Sequence, residues 1–248
     1  MMTIDRNGLR PWCGAALLVS LAACGGGDDD GLRPTEDDRD GDGLSNVEEA
    51  YLGSNPDAAD TDRDGWNDGD EVEQNTDPLN GFDHPYTGGW AIAPCRGDLQ
   101  GNGNGVGNVA YNFSLMDQHG EPVRLHDFCD RSIVLASGAE WCEPCIREAT
   151  FLANKFNEYR DDGLMVITLL GEDVYNVTPA QSNLETWADT FDISHPVLQD
   201  TSFSVTATYT GGNAASLPAN QLIGPGGVIR ATNLMEVTEE DIRSLLGL

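Results

Sequence analysis

The chain has 248 residues and a formal net charge of −29, from 42 acidic and 13 basic side chains. A protein this acidic does not bind nucleic acid or an anionic membrane surface through charge. Residues 28–83 hold 20 Asp and Glu against three Arg, whereas residues 84–248 hold 21 acidic and eight basic residues. We therefore expect two regions with different physical properties.

Residues 1–23 have the pattern of an export signal. Arg6 and Arg10 precede an apolar stretch, 15–23, that is too short to span a bilayer as a stable helix. Its end, Leu21-Ala22-Ala23-Cys24-Gly25, resembles the lipobox of bacterial lipoproteins. The resemblance implies cleavage before Cys24, a membrane anchor of several acyl chains on its thiol, and a flexible acidic tether over residues 24–36. An ordinary secretory signal with a chance cysteine is the alternative.

Residues 37–80 contain two acidic twelve-residue loops, 38–49 and 60–71. Each loop has oxygen-bearing side chains at positions 1, 3, 5 and 9, Gly at position 6 and Glu at position 12, which is the pattern of a calcium loop. The residue at position 7 offers only its backbone carbonyl. The candidate ligands are Asp38, Asp40, Asp42, Leu44, Asn46 and Glu49 in the first loop, and Asp60, Asp62, Asp64, Trp66, Asp68 and Glu71 in the second.

Only 10 residues separate the two loops, which leaves little room for a full helix-loop-helix hand. Asn75-Thr76-Asp77-Pro78 echoes Asn55-Pro56-Asp57, and the whole segment resembles the thrombospondin type 3-like calcium repeats of bacterial surface proteins. The resemblance implies structural Ca²⁺, because so small and acidic a segment cannot bury a core and would repel itself without bound cations. We expect a calcium-stiffened stalk. A disordered acidic tether is the alternative.

Residues 81–109 are rich in Gly and Asn and are interpreted as a linker that is loosest at 101–105. Cys95 lies in this stretch, and Cys129 lies just before the next apolar run. In an exported protein these two cysteines can form a disulfide that pins the linker to the domain that follows. Two free thiols are the alternative.

Residues 110–248 have the pattern of an α/β domain that is long enough for one core. The apolar runs and turn residues predict strands at 111–116, 122–125, 133–136, 164–170, 196–198, 221–223 and 228–230, and helices at 146–159, 180–191 and 239–246. A β-α-β unit followed by β-β-α predicts a thioredoxin-like sheet. Four histidines, His84, His119, His126 and His195, show no clear pattern and are interpreted as loop or surface residues.

The run Trp141-Cys142-Glu143-Pro144-Cys145 lies between a predicted strand and a predicted helix. Cys142 is therefore expected at the helix N-terminus, where unpaired amides and the helix dipole favour a thiolate. Pro144 suits the first helical turn because its missing amide costs nothing there. Such a dithiol can attack a disulfide and then be released by its own second cysteine, which predicts thiol-disulfide exchange.

An inert structural disulfide and half of a zinc site are the alternatives for these two cysteines. Zinc needs four ligands, and no second Cys-x-x-Cys or His-x-x-x-His follows in the chain.

The domain resembles the TlpA/ResA-like family of membrane-tethered thiol-disulfide oxidoreductases over about residues 110–247. The resemblance rests on four features: Phe113-Ser114-Leu115, the run from Trp141 to Glu148, Ser216-Leu217-Pro218 and the closing hairpin. It implies a protein of the bacterial cell envelope with protein thiols or disulfides as substrates. It also implies a membrane thiol-electron donor and no redox cofactor beyond the dithiol.

The resemblance also implies roles for single residues. Cys142 corresponds to the exposed nucleophile and Cys145 to the resolving thiol. Pro218 corresponds to a cis-proline that faces the dithiol, and the backbone of Leu217 would pair with the substrate. Glu148 corresponds to a glutamate that tunes proton transfer at the second cysteine.

A departure from the family bears on specificity, and three glutamates bear on the direction of transfer. Residues 137–140, Ser-Gly-Ala-Glu, replace a large aromatic pair of the family, which thins the hydrophobic floor under the site. Glu140, Glu143 and Glu148 disfavour another anion, should raise the pKa of the Cys142 thiol, and so favour a reductant. A disulfide donor of the same fold, and a calcium-dependent adhesion module with an inactive domain, are the alternative functions.

Overall fold

The computed structural model describes residues 37–212 and 216–248. The predicted export signal, Cys24 and the whole tether lie outside these residues. Residues Glu36–Leu248 form one compact unit, which includes both acidic loops and the α/β domain. The helices are α1 (Asn46–Leu52), α2 (Asp68–Glu73), α3 (Glu143–Tyr159), α4 (Gln181–Phe191), α5 (Ser204–Thr210) and α6 (Glu239–Leu246); the strands are β1 (Ser114–Met116), β2 (Pro122–Arg124), β3 (Ser132–Gly138), β4 (Leu164–Leu170), β5 (Val197–Gln199), β6 (Asn220–Gly224) and β7 (Val228–Leu234).

The central sheet has five strands in the order β5-β4-β3-β6-β7. β3 pairs in parallel with β4 along its whole length, and β4 pairs in parallel with β5. β6 is antiparallel to both β3 and β7, while β1 and β2 form a separate antiparallel pair. Every residue of β3 and β4 is buried, as expected for parallel strands covered on both faces. The mixed sheet with flanking helices confirms the predicted thioredoxin-like fold.

Three of the observed helices, α1, α2 and α5, are not predicted from the sequence. α1 and α2 have only seven and six residues, and α1 is closed by a capping box between Ser45 and Glu48. α5 is rich in Thr and Ser, a composition of low helix propensity, so no helical pattern is visible in the sequence. Two histidines interpreted as surface residues, His126 and His195, are buried.

The structure differs from the linker interpretation of residues 81–109. Tyr86, Trp90 and Ile92 are buried in the main core of the α/β domain. The Trp90 indole N–H donates to the carbonyl of Ser194 at 2.9 Å. Gly and Asn lower the mean hydropathy of this stretch, but its few aromatic and apolar residues are enough to hold it against the domain.

The disulfide between Cys95 and Cys129 is present, and it confirms that pairing over two free thiols. It joins the stretch 81–109 to the segment just before β3, because Cys129 follows a 3₁₀ turn, Leu125–Phe128, at that point. The covalent link therefore reinforces the same attachment as the packing of Trp90.

The described residues contain no helix that is both long and apolar enough to cross a membrane.

Candidate functional site

Cys142 and Cys145 lie at the start of α3, shortly after β3 ends. Cys142 is the N-cap of α3, Pro144 lies in the first turn, and Cys145 follows on the same turn. The two sulfurs are joined, so the structure shows the oxidised pair. The Cys145 amide donates to Cys142 Sγ at 3.3 Å. In the reduced protein the same amide, with the α3 dipole, favours a thiolate on Cys142.

The prediction that Cys142 is the more exposed of the two cysteines is wrong for this oxidised state. The exposed fractions are 3% for Cys142 and 6% for Cys145. Ala139 forms a small apolar cluster with the pair, and Phe203 and Leu217 pack against that cluster. Both cysteines are therefore nearly fully buried in the oxidised pair, and the sulfur of Cys142 accepts a backbone hydrogen bond.

The Leu217–Pro218 peptide bond is cis, as the resemblance implied for Pro218. The segment is tied to the domain by the Ala219 amide, which donates to the carbonyl of Ser137 at 3.1 Å. Pro218 and Pro144 both line a groove of about 450 Å³ whose other walls come from α3 and from the β7–α6 connection. The groove begins next to the dithiol and is open to solvent.

Glu148 is half-buried one turn after Cys145 on α3. Its carboxylate accepts two hydrogen bonds from Asn220 Nδ2, at 2.9 and 3.0 Å, and one from the Val237 amide at 2.8 Å. Burial raises the pKa of Glu148 above its ordinary value, although these hydrogen bonds work against the shift. Glu148 and Cys145 also line the same small cavity beneath the dithiol.

The other acidic residues near the dithiol are engaged at the surface. Glu140 accepts from the Val174 amide at 3.2 Å, and Glu172 accepts from the Trp141 indole N–H at 2.8 Å. The exposed Glu143 carboxylate lies 3.5 Å from the Arg147 guanidinium. Solvent and Arg147 therefore screen the charge of Glu143, which weakens its expected effect on the thiolate.

The two acidic loops repeat the same internal hydrogen bonds. The position-1 carboxylates, Asp38 and Asp60, accept from the amides at positions 4 and 6 at 2.7 to 3.2 Å. The glycine at position 6 has a left-handed backbone in both, with φ of 102° at Gly43 and 105° at Gly65. The sequence repeat therefore corresponds to a repeated loop conformation.

The carboxylates inside each loop converge, and several of their oxygens, including both of Asp40 and one each of Asp62 and Asp64, have no hydrogen-bond partner. The ligand atoms of Asp38, Asp40 and Asp42 lie within 4.8 Å of one another, as do those of Asp60, Asp62 and Asp64. Glu49 and Glu71 are fully buried, and none of their four carboxylate oxygens has a hydrogen-bond partner. Buried carboxylates at this density are costly unless a cation neutralises them.

Burial and neighbouring carboxylates raise the pKa of Glu49 to about 7 and the pKa of Glu71 to about 8. In a cation-free protein these two side chains resist ionisation because they are buried among other carboxylates. Oxygen donors in this number and arrangement fit a hard divalent cation such as Ca²⁺. The residues of both loops therefore fit bound Ca²⁺.

The two loops contact each other in the structure, although their spacing in the sequence predicts two separate sites. Asp68, at position 9 of the second loop, lies within 4.8 Å of Asp42 and Glu49 of the first. The Gly69 amide donates to Asp42 Oδ2 at 3.1 Å, and a Cβ on Gly69 would come within 2.2 Å of the Asp42 carbonyl oxygen. No feature of the spacing predicts this contact, because it depends on how one repeat packs on the next.

The side chains at position 9 also close their own loops. Asn46 Oδ1 accepts from the Arg39 amide at 3.3 Å, and Asp68 Oδ1 accepts from the Thr61 amide at 2.9 Å. Leu44 and Trp66, at position 7, donate their own amides to Asp42 and Asp64 at 2.8 and 2.9 Å. Their carbonyls remain the groups that the calcium-loop pattern assigns as ligands.

Two known families match different parts of the chain. The sequence profile of the AhpC/TSA family matches residues 106–232. The profile of the bacterial TSP3 repeat matches residues 38–56 and 60–81, which contain the two acidic loops.

Individual relatives match the α/β domain. The thiol-disulfide oxidoreductase ResA of Bacillus subtilis is 26% identical over 142 residues, which is 57% of this chain and 74% of the relative. The protein of the same name from Geobacillus thermodenitrificans is 28% identical over 141 residues, covering 57% and 76%. Among solved structures, the thioredoxin domain of a thiol-disulfide oxidoreductase from Bacteroides vulgatus aligns with a TM-score of 0.47 and 17% identity, covering 58% of this chain and 96% of that one.

Proposed function

This chain belongs to the AhpC/TSA family and is a thiol-disulfide oxidoreductase with a thioredoxin-like fold, and we propose that it reduces protein disulfides outside the cytoplasm through Cys142 and Cys145. The observation that carries the proposal is the pair of cysteines at the start of α3, with the Cys145 amide directed at Cys142 Sγ. That arrangement stabilises the anion needed for attack.

The proposed reaction has two exchange steps. The Cys142 thiolate attacks one sulfur of a substrate disulfide; a mixed disulfide forms, the substrate bond breaks, and the leaving thiolate takes up a proton. Cys145 then loses its proton and attacks Cys142 Sγ, which releases the second substrate thiol and leaves the Cys142–Cys145 disulfide. A dithiol donor returns the pair to its reduced form by the reverse exchange. Two electrons pass from donor to substrate in each cycle.

Glu148 and Pro218 have supporting roles in this proposal. Glu148 accepts the proton that Cys145 must lose, because its carboxylate lines the cavity that also contains Cys145. Leu217, just before Pro218, packs against the dithiol cluster, and its backbone would pair with an extended substrate segment.

The N-terminal part of the chain is proposed to place the enzyme and to bind metal. Lipid on Cys24 would hold the protein at a membrane of the cell envelope, facing away from the cytoplasm. The two acidic loops would each bind one structural Ca²⁺. The convergence of their carboxylates, several of whose oxygens have no hydrogen-bond partner, supports that assignment.

The assignment of the two cysteines can be tested by trapping. Cys145→Ser leaves Cys142 able to attack but removes the group that resolves the mixed disulfide, so a covalent complex with a protein disulfide such as insulin should accumulate. Non-reducing electrophoresis and mass spectrometry of the full chain would identify the bond to Cys142.

The matched control is Cys142→Ser, which should trap little or no partner. Equal trapping by both variants would contradict the assigned roles. Equilibration of the wild-type pair with glutathione buffers tests the direction of transfer, since a pair more oxidising than glutathione would favour the disulfide-donor alternative.

A further inference from the structure

Phe203 is an aromatic side chain at the dithiol that the sequence pattern does not reveal. It lies on the turn between β5 and α5, far along the chain from the cysteines, and packs against the cluster of Ala139, Cys142 and Cys145. The ring is only half-buried, so part of it faces solvent beside the redox pair. No residue of the segment 137–140 supplies an aromatic ring there.

The backbone that presents Phe203 has an unusual conformation. Ser202 and Phe203 have φ of 55° and 56°, in the left-handed region that β-carbon-bearing residues rarely adopt. Buried Asp200 holds the turn: its carboxylate accepts from the amides of Val205 and Thr206, both at 2.8 Å, and from two hydroxyl groups. A strained non-glycine residue that is held this firmly beside a reactive group points to a functional role for its side chain.

Gly171, at the end of β4, makes room for the ring. A Cβ built on Gly171 would lie 2.2 Å from two carbon atoms of the Phe203 ring, and its three nearest neighbours all belong to that ring. Gly171 does not have a left-handed backbone, so its lack of a side chain is required by the ring and not by its own conformation. Gly171 and the left-handed turn at Phe203, which are distant in sequence, therefore both determine the position of the ring.

We propose that Phe203 is a specificity-determining residue that, with Leu217, forms an apolar wall beside Cys142 and selects substrates with an apolar side chain next to their reactive cysteine. The proposal rests on the proposed disulfide reductase function and names its substrate class. An apolar side chain flanking the substrate cysteine covers the exposed part of the ring, whereas a polar one loses hydration there without a partner.

The test uses the reduced full chain and two peptides, each containing one internal disulfide, which are identical except that Leu or Ser flanks each cysteine. The rate constant for oxidation of the dithiol is measured with each peptide. Wild type should prefer the Leu peptide by about tenfold, near the lower end of the discrimination that one apolar contact gives. Phe203→Gly removes the ring and suits the left-handed backbone, and its two rates should be nearly equal.

Three further variants distinguish an effect of the ring on substrate preference from a general effect on the fold. Ser202→Gly relieves the neighbouring left-handed position but keeps the ring, so it should retain the wild-type preference. Gly171→Ala displaces the ring without changing Phe203 and should lose the preference. In the Phe203→Gly background, Gly171→Ala should have no further effect, because the ring that its Cβ would strike is gone.

The outcomes distinguish this inference from the proposed function. A wild-type protein that oxidises with neither peptide overturns both. Wild type that reacts equally fast with both peptides overturns only the role of Phe203, as does a Phe203→Gly variant that slows both reactions by the same factor. Loss of preference in Phe203→Gly and Gly171→Ala, with preference kept in Ser202→Gly, supports the inference.

Discussion

Glu148 is a titratable side chain that lies close to the redox pair. Its carboxylate is half-buried, is held by Asn220 and Val237, and lines a cavity with Cys145. Burial raises its pKa, and the nearby charge of Glu236 raises it further. In the unfolded chain the same group has a pKa of about 4.3. Glu148 therefore binds a proton more tightly in the folded protein.

Replacing Glu148 by Gln should change the pH dependence of stability in a defined direction. The wild-type contribution of Glu148 is fully present below the unfolded pKa and is lost as pH rises through the raised folded pKa. Glu148→Gln keeps a carbonyl oxygen for both hydrogen-bond donors and cannot ionise. The variant should gain stability relative to wild type as pH rises from about 4 through this window, as measured by urea unfolding at a series of pH values.

The same variant tests the proposed proton transfer. Release of product from a preformed Cys142 mixed disulfide should be slower by about a hundredfold, the lower end of a general-base contribution. Glu158→Gln, at an exposed position further along α3, is the matched control and should release product at the wild-type rate. A variant that is less stable relative to wild type at higher pH, or that releases product at the wild-type rate, would contradict the argument.

Much of the redox site can be predicted from single residues. The Cys-x-x-Cys pair and the proline of its first turn have local sequence patterns, and the family resemblance implies the cis Leu217–Pro218 bond; the structure contains all three. Phe203 has no such pattern, because its place depends on a left-handed turn and on the absence of a side chain at Gly171. The low exposure of Cys142 also follows from packing between distant segments.

At the scale of elements, the acidic loops and the short helices after them form one coupled unit. Asp68, at the start of α2, is within 4.8 Å of Asp42 and Glu49 in the first loop. The fully buried Glu49 and Glu71 belong to α1 and α2 themselves, so cation binding would fix each helix to its loop. The sequence repeat predicts the ligands of each loop, but not that one loop contributes to the other.

Calcium titrated into the full chain should bind at about two sites, one for each loop. The double variant Asp38→Ala/Asp60→Ala removes the first ligand of both loops and the hydrogen bonds that hold their turns. Isothermal titration calorimetry should therefore show loss of binding at both sites.

The matched control, Asp161→Ala/Asp162→Ala, removes the same charge from an exposed turn after α3 and should keep both sites. Absence of binding to the wild-type chain at millimolar calcium would contradict the calcium assignment. Equal loss in both double variants would show that net charge, and not the loops, governs the binding.

At the scale of the whole molecule, the repeats are fastened to the redox domain by specific contacts. Arg96 donates to both carboxylate oxygens of Asp83, just after the second repeat, and Arg124 of β2 lies 3.7 Å from the same carboxylate. Asn75 Nδ2 donates to the carbonyl of Ile92 at 2.9 Å. The composition suggests a stalk on a loose linker, whose stability would be independent of the domain. These contacts instead predict that the repeats and the domain stabilise each other.

Calcium should therefore stabilise the redox domain as well as the repeats. At about a hundredfold excess over Kd, each site adds about 2.7 kcal/mol to a cooperative unit, and two sites should raise Tm by about 10 to 20 °C. The amides of β3 and β4 should exchange with deuterium more slowly in calcium than in EDTA, because they open only with the whole unit.

Arg96→Met should make the exchange of the β3 and β4 amides less dependent on calcium. Lys155→Met, which breaks ion pairs to Glu158 and Glu239 on α3 and α6, should lower stability but keep the calcium response. If exchange in β3 and β4 of the wild-type protein is the same with and without bound calcium, the repeats and the redox domain are energetically independent and the coupling argued from Asp83 is wrong.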